Sequence, residues 1–358
     1  MHPHISTSIN QHISKSAYQH IICFLLSVSI AMLASCSNHN NVTETKKADS
    51  NSLNSSDELK QLNAQILSQP ANAELYHHRA KLYLNLKEFQ KGITDMAQAL
   101  KIDSTNAEYF LTLSDLYFVT NQTGSTKAAL EKCIVLDEKN VDAMLKLGEL
   151  YLYVRKYEQS MKYINMALKV NQYNAKAYFM KGMNYKELKD TSRAISSMQT
   201  AVEQDQQYYN AYIQLGLLSA AKKNPIAAQY YKNAIRIQPK STESLYNLGK
   251  YYHDMNDFNN ALETYSNLLQ IDRSNKYAHY NMGVIQLTNF KKYDAAISHF
   301  AEAIKSEPKY VQAYYGQGIC YKVKGDLKNA ANDFHACLDI DPNFEPAQTA
   351  LKELNSGK

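Results

Sequence analysis

Residues 311–344 read VQAYYGQGICYKVKGDLKNAANDFHACLDIDPNF. Tyr314, Gly318 and Tyr321 fall on one face of a helix, Lys324-Gly325-Asp326 has the composition of a tight turn, and Ala330, Phe334, Cys337 and Leu338 mark the face of a second helix. Pro342 stands where that second helix must stop, because proline has no amide hydrogen to donate. Apolar residues at helical spacing on both sides of one turn predict a helical hairpin with an apolar stripe on each arm.

The same pattern recurs up the chain. Ser114, Gly148, Gly182, Gly216, Gly249, Gly283 and Gly318 follow one another at intervals of 33 to 35 residues, and Tyr117, Tyr151, Tyr185, Tyr252 and Tyr321 lie three positions after their marks. A fixed period near 34 means copies of one supersecondary unit, each unable to bury its apolar face alone. Eight units follow: 73–106, 107–140, 141–174, 175–208, 209–241, 242–275, 276–310 and 311–344. Their second helices carry a small residue in register, Gly92, Thr126, Ser160, Ala194, Ala227, Ala261, Ala296 or Ala330, so that neighbouring helices can approach. The fifth unit is one residue short near Asn224-Pro225, where Asn reads as an N-cap and Pro as the first helical residue. The seventh has one residue extra between Asn289 and Tyr293, expected as a longer loop.

The period, the Gly/Tyr first helix, the Ala/aromatic/Ala second helix and the closing Pro239, Pro308 and Pro342 resemble the tetratricopeptide repeat (TPR) family over about 290 residues. That resemblance implies an all-α fold, an α-solenoid (right-handed superhelix) of about eight helical hairpins with capping helices. Residues 57–72 are expected to form the N-terminal cap and 345–358 the C-terminal cap and tail. Solvated ends are what a stacked array requires.

Ahead of the repeats lies an apolar run, Ile21 to Ala34, too short to span a bilayer and of signal-peptide length. It ends in Leu33-Ala34-Ser35-Cys36, which resembles the bacterial lipobox; the resemblance implies a leader at 1–35 and an acylated Cys36. Ser37 is not the Asp that would favour inner-membrane retention, so the implied location is the outer membrane, facing the periplasm. From Cys36 to residue 56 the chain turns to Ser, Asn, Thr and Lys, and reads as a disordered tether with a reach of about 25 Å.

A net charge of +5 with no dense Lys/Arg block argues against nucleic acid as a partner. No GxSxG, HExxH or phosphate-loop motif is present, and the histidines are scattered, so no enzyme, metal or cofactor is expected. Cys133, Cys320 and Cys337 occupy sites where sister units carry small apolar residues. They read as core filler, with a Cys320–Cys337 disulfide as the alternative in an oxidising compartment.

By the family resemblance, first helices line the concave face. One turn before each small first-helix residue lie His77, Leu111, Leu145, Phe179, Ile213, Tyr246, Tyr280 and Tyr315. The last three are expected to stack from consecutive units, Tyr offering apolar area together with a hydroxyl. Asn247 and Asn281 beside them could bond a peptide backbone, and Lys250 could supply charge. The expected groove residues are therefore Phe179, Tyr246, Asn247, Lys250, Tyr280, Asn281 and Tyr315. A Lys/Asn/Arg clamp for a C-terminal carboxylate is not expected, since Leu145, Glu149 and Phe179 hold the matching places. The resulting expectation is a membrane-tethered, non-enzymatic scaffold for protein or peptide segments in the cell envelope. The alternatives are a glycan-capturing lipoprotein, disfavoured by the absence of Trp, and a self-associating array.

Overall fold

The computed structural model describes residues 57–356. The expected leader, the Cys36 acylation site, the tether and residues 357–358 lie outside the described residues. The chain divides into two compact units, Met1–Pro70 and Ala71–Lys358. In the first, residues 57–68 form helix α1, with Leu62 and Ile66 buried one turn apart and Leu67 exposed.

The second unit is a run of helical hairpins. They pair α2 (Ala73–Asn85) with α3 (Phe89–Ile102), α4 (Ala107–Val119) with α5 (Thr123–Leu136), and α6 (Val141–Tyr153) with α7 (Tyr157–Val170). Next come α8 (Ala175–Glu187) with α9 (Thr191–Gln204), α10 (Tyr209–Ala221) with α11 (Ile226–Ile237), and α12 (Thr242–Asp254) with α13 (Phe258–Ile271). The last pairs are α14 (Lys276–Ile285) with α15 (Tyr293–Ser306) and α16 (Val311–Val323) with α17 (Leu327–Ile340); α18 (Glu345–Asn355) follows and packs on α17. Each helix packs on its hairpin partner and each second helix on the first helix of the next pair, which makes the fold an all-α solenoid.

Three local devices set this geometry. Each hairpin turns on one residue in the left-handed region: Lys87, Asn121, Arg155, Lys189, Lys223, Asn256, Lys291 or Gly325, with φ between 52 and 80°. Six first helices begin with an asparagine or serine whose side chain accepts a backbone N–H, among them Asn140 from Ala143 at 2.9 Å and Asn174 from Ala177 at 2.8 Å. Finally, the first-helix glycine faces a bulky second-helix residue. A Cβ on Gly216 would sit 2.4 Å from the Tyr231 ring, and one on Gly249 2.7 Å from Tyr265. Those positions must be bare.

Two irregularities resolve differently. In the fifth hairpin the missing residue is lost at the start of α11, where the Asn224 side chain accepts the Ile226 N–H at 3.1 Å and Pro225 is already helical (φ −61°, ψ −21°). In the seventh, the extra residue does not lengthen a loop. It is absorbed as a π-helical turn, Gln286–Phe290, continuing α14 and closed by the Lys292 N–H on the Gln286 carbonyl at 2.9 Å. Staying helical keeps backbone groups paired where a bulged loop would release them.

The three described cysteines are free and fully buried, which corrects the disulfide alternative. Cys337 directs its thiol toward the Val311 carbonyl (3.5 Å), and burial pushes the Cys320 and Cys337 thiols up to about 12. They are core filler.

Candidate functional site

The row of first-helix side chains expected to line the groove is mostly its floor. His77, Leu111, Leu145, Ile213 and Tyr280 are buried, and only Phe179, Tyr246 and Tyr315 are half-buried. At the N-terminal end His77 places Nε2 2.9 Å from the Thr112 hydroxyl of the next first helix, and burial lowers its pKa. Such contacts bind one hairpin to the next.

The direct stack of Tyr246, Tyr280 and Tyr315 is not formed. Tyr246 reaches Tyr277 (ring centroids 5.9 Å), Tyr277 reaches Tyr310 (6.3 Å), and Tyr310 reaches Tyr280 (5.1 Å), which in turn packs on Phe300. Tyr315 belongs to a second set with Phe334 (5.8 Å) and Phe344 (5.6 Å). Phe179 pairs with Tyr208 at 5.2 Å. The physical reason is the seam between successive first helices: a row side chain points into it, and an aromatic from the unit junction fills the remainder. Tyr280, at 4% exposure, therefore braces the face and does not present itself on it.

Those junction aromatics were missed in the sequence, although a signal existed. Asn106, Asn140, Asn174, Ser241 and Asn275 end their units and cap the next helix, whereas Tyr208, Tyr310 and Phe344 end theirs and make no side-chain cap. A cap is worth about 1 kcal/mol. At three junctions the chain gives that up for an aromatic contact across the seam, each worth about 0.5–1.5 kcal/mol beyond its area.

The polar candidates divide. Asn281 lies beside the Tyr246 hydroxyl; burial pushes that phenol up and the Asn281 amide acts against it. Lys250 is held by Asp254 on its own helix, Nζ to Oδ2 at 2.6 Å, so its charge is already partnered. Asn247 is half-buried on the same face. Tyr277, 41% exposed, is the best-presented ring of the cluster. Ion pairs bridge neighbouring hairpins, Lys146 to Asp115 at 2.6 Å and Lys176 to Glu149 at 3.2 Å, while Lys276 meets Glu307 at 2.6 Å within the seventh hairpin. Among the described residues no group of three or more His, Cys, Asp or Glu is placed to hold a metal ion, and no helix is long and apolar enough to cross a membrane.

Tetratricopeptide repeat models match residues 73–106, 175–208 and 290–343, and a TPR repeat model matches 249–289. Two of these windows coincide with the first and fourth hairpin units. The chain is a tetratricopeptide repeat protein.

Among solved structures, this TPR protein is similar to the C-terminal part of a TPR repeat-containing protein from Cytophaga hutchinsonii. The TM-score is 0.59 at 19% identity, covering 66% of this chain and 98% of that one, which speaks to the fold alone. Among curated proteins, it is 39% identical over 54 residues to Hsp70-Hsp90 organizing protein 3 of Arabidopsis thaliana, 15% of this chain and 10% of that protein. It is 24% identical over 116 residues to human serine/threonine-protein phosphatase 5, 32% of this chain and 23% of that protein. The match spans about a tenth of the first relative and under a quarter of the second. The array is of the kind that serves as a protein-interaction scaffold.

Proposed function

We propose that this TPR protein is a non-enzymatic scaffold, tethered to the cell envelope through an acylated Cys36, which holds protein or peptide segments on its first-helix face. The observation that carries the reading is the half-buried aromatic set of the sixth and seventh hairpins. Tyr246 and Tyr277 offer apolar ring area, and Asn247 and Asn281 offer amides beside it. Phe179 and Tyr315 extend the same face in both directions. Rings held by ring contacts lose little entropy on binding, and amides can meet an extended or helical backbone.

The test separates the face from the tether. A photo-crosslinking residue at Tyr277 is compared with one at the exposed Gln199 on α9. Partner adducts confined to position 277, and reduced about tenfold by Tyr246→Ala with Asn281→Ala, support the face; adducts of equal yield at both positions overturn it. For the tether, Cys36→Ala should abolish acylation and membrane retention. Unchanged retention would remove the anchor and leave the face standing.

A further inference from the structure

The two edges of the hairpin array carry opposite charge. At the edge made by turns between hairpins, Asp103, Asp137, Asp205, Asp272 and Asp341 each accept a backbone N–H two residues on, at 2.8 to 3.2 Å. At the other edge, made by the turns within hairpins, five of the eight left-handed residues are Lys87, Arg155, Lys189, Lys223 and Lys291. A side chain with a Cβ is strained at positive φ, where glycine or asparagine sits at less cost. Asn121, Asn256 and Gly325 show that the same turn is built that way here. Local geometry does not ask for cations at these tips, so a second requirement selects them.

The densest part is the contiguous edge of the third to fifth hairpins. Arg155-Lys156, Lys189 and Lys222-Lys223 are all exposed and make no ion pair among the described residues. The carboxylates close to them are Glu158, Glu187 and Asp190, and Asp190 is already held by Arg193 at 2.5 Å. Apolar side chains stand between the cations at the same tips: Val154 at 38% exposure, Leu188 at 53% and Ile226 at 43%. A soluble polyanion without apolar surface would leave these aliphatic side chains in water. Exposed aliphatic side chains interleaved with cations fit a boundary where phosphate and hydrocarbon lie within a few ångströms of each other.

We propose that the edge formed by the Val154–Lys156, Leu188–Lys189 and Lys222–Ile226 turns docks on an anionic phospholipid bilayer, with the aliphatic tips entering the headgroup layer. The acidic opposite edge faces away, so docking fixes how the first-helix face is presented. This contact is distinct from the Cys36 anchor and needs no acyl chain.

The test uses the full chain with vesicles of phosphatidylcholine, alone or with 30% phosphatidylglycerol, and an amine-reactive footprint read by mass spectrometry. Lys156, Lys189, Lys222 and Lys223 should be protected on the anionic vesicles only, while Lys139, Lys240 and Lys309 of the opposite edge stay reactive. The variant Arg155→Asn/Lys189→Asn/Lys223→Asn removes three charges and relaxes three strained turns, so it should fold at least as well. Each cation is worth about fivefold in partitioning, so its binding should fall about a hundredfold. Equal protection on neutral vesicles, no protection at all, or equal protection by DNA or polyglutamate without lipid would each overturn the assignment. Footprints at this edge are independent of crosslinking at Tyr277, so either reading can fail without the other.

Discussion

Asp333 in the eighth hairpin stands where Asp95 stands in the first, but only Asp95 meets a guanidinium. Arg79 holds Asp95 with Nε and Nη2 at 2.7 Å each, whereas the place of Arg79 is taken by Gln317, which donates to the Ile297 carbonyl. Asp333 Oδ2 is buried without a hydrogen-bond partner, and burial pushes its carboxyl up to about 7. Its titratable neighbours are Cys320 and Tyr321 on α16 and Cys337 on α17, none of them cationic. Because the folded-state pKa lies above the unfolded one, the contribution is fully present below about pH 4 and is lost as pH rises through about 7. Asp333→Asn should therefore raise the melting temperature at pH 8 and lose its advantage near pH 4. Thermal unfolding followed by circular dichroism across that range decides it, and a pH-independent difference would contradict the assignment. The gain at pH 8 should be about 1 kcal/mol after allowance for solvent screening.

Gly216 and Tyr231 should be energetically coupled. Gly216→Ala gains about 1 kcal/mol of helix propensity yet drives a methyl into a ring carbon 2.4 Å away, so a net loss of about 1–3 kcal/mol is expected. Combining it with Tyr231→Leu should recover part of that loss. Urea titrations of the four proteins in the cycle measure the coupling, and strict additivity would show that the socket is not tight.

Tyr265 is buried with a hydroxyl that has no partner, while sister hairpins carry Phe300 and Phe334 at the corresponding site. Removing an unpaired buried polar atom of this kind should stabilise the fold by about 1 kcal/mol. Tyr265→Phe is accordingly expected to raise the urea midpoint; a lowered midpoint would reveal a partner for the oxygen.

Cys133, Cys320 and Cys337 should resist iodoacetamide in the folded chain and all react once it is unfolded without reductant. Intact mass after alkylation counts them. A pair that reacts only after reduction would bring back the disulfide.

The period, the small second-helix residues and the shortened fifth unit could be read from the sequence because each is enforced by close packing at one register position. At Gly182, for instance, a Cβ would sit 2.6 Å from Met198 Cγ, and Ala194 is fully buried. The candidate face was only partly legible. Tyr280 and Tyr315 share a register position, yet one is buried and the other is not, because depth in the seam depends on which aromatic arrives from the junction. Nothing in the spacing of Tyr280 announces Tyr310. The π turn at Gln286–Phe290 was likewise hidden, since an inserted residue looks the same in sequence whether a loop or a helix absorbs it.

One buried position of the second helix grades the array from end to end. It is Met96, Leu130, Ile164 and Met198 in the first four hairpins, and Tyr231, Tyr265, Phe300 and Phe334 in the last four. Rings bury more area than flexible aliphatic chains and fix their neighbours more firmly. In a stack whose cohesion is a sum over nearest neighbours, such a gradient gives unfolding a direction. Amide exchange should quicken toward the first hairpins, and the molecule should come undone from its N-terminal side while its C-terminal half keeps its shape.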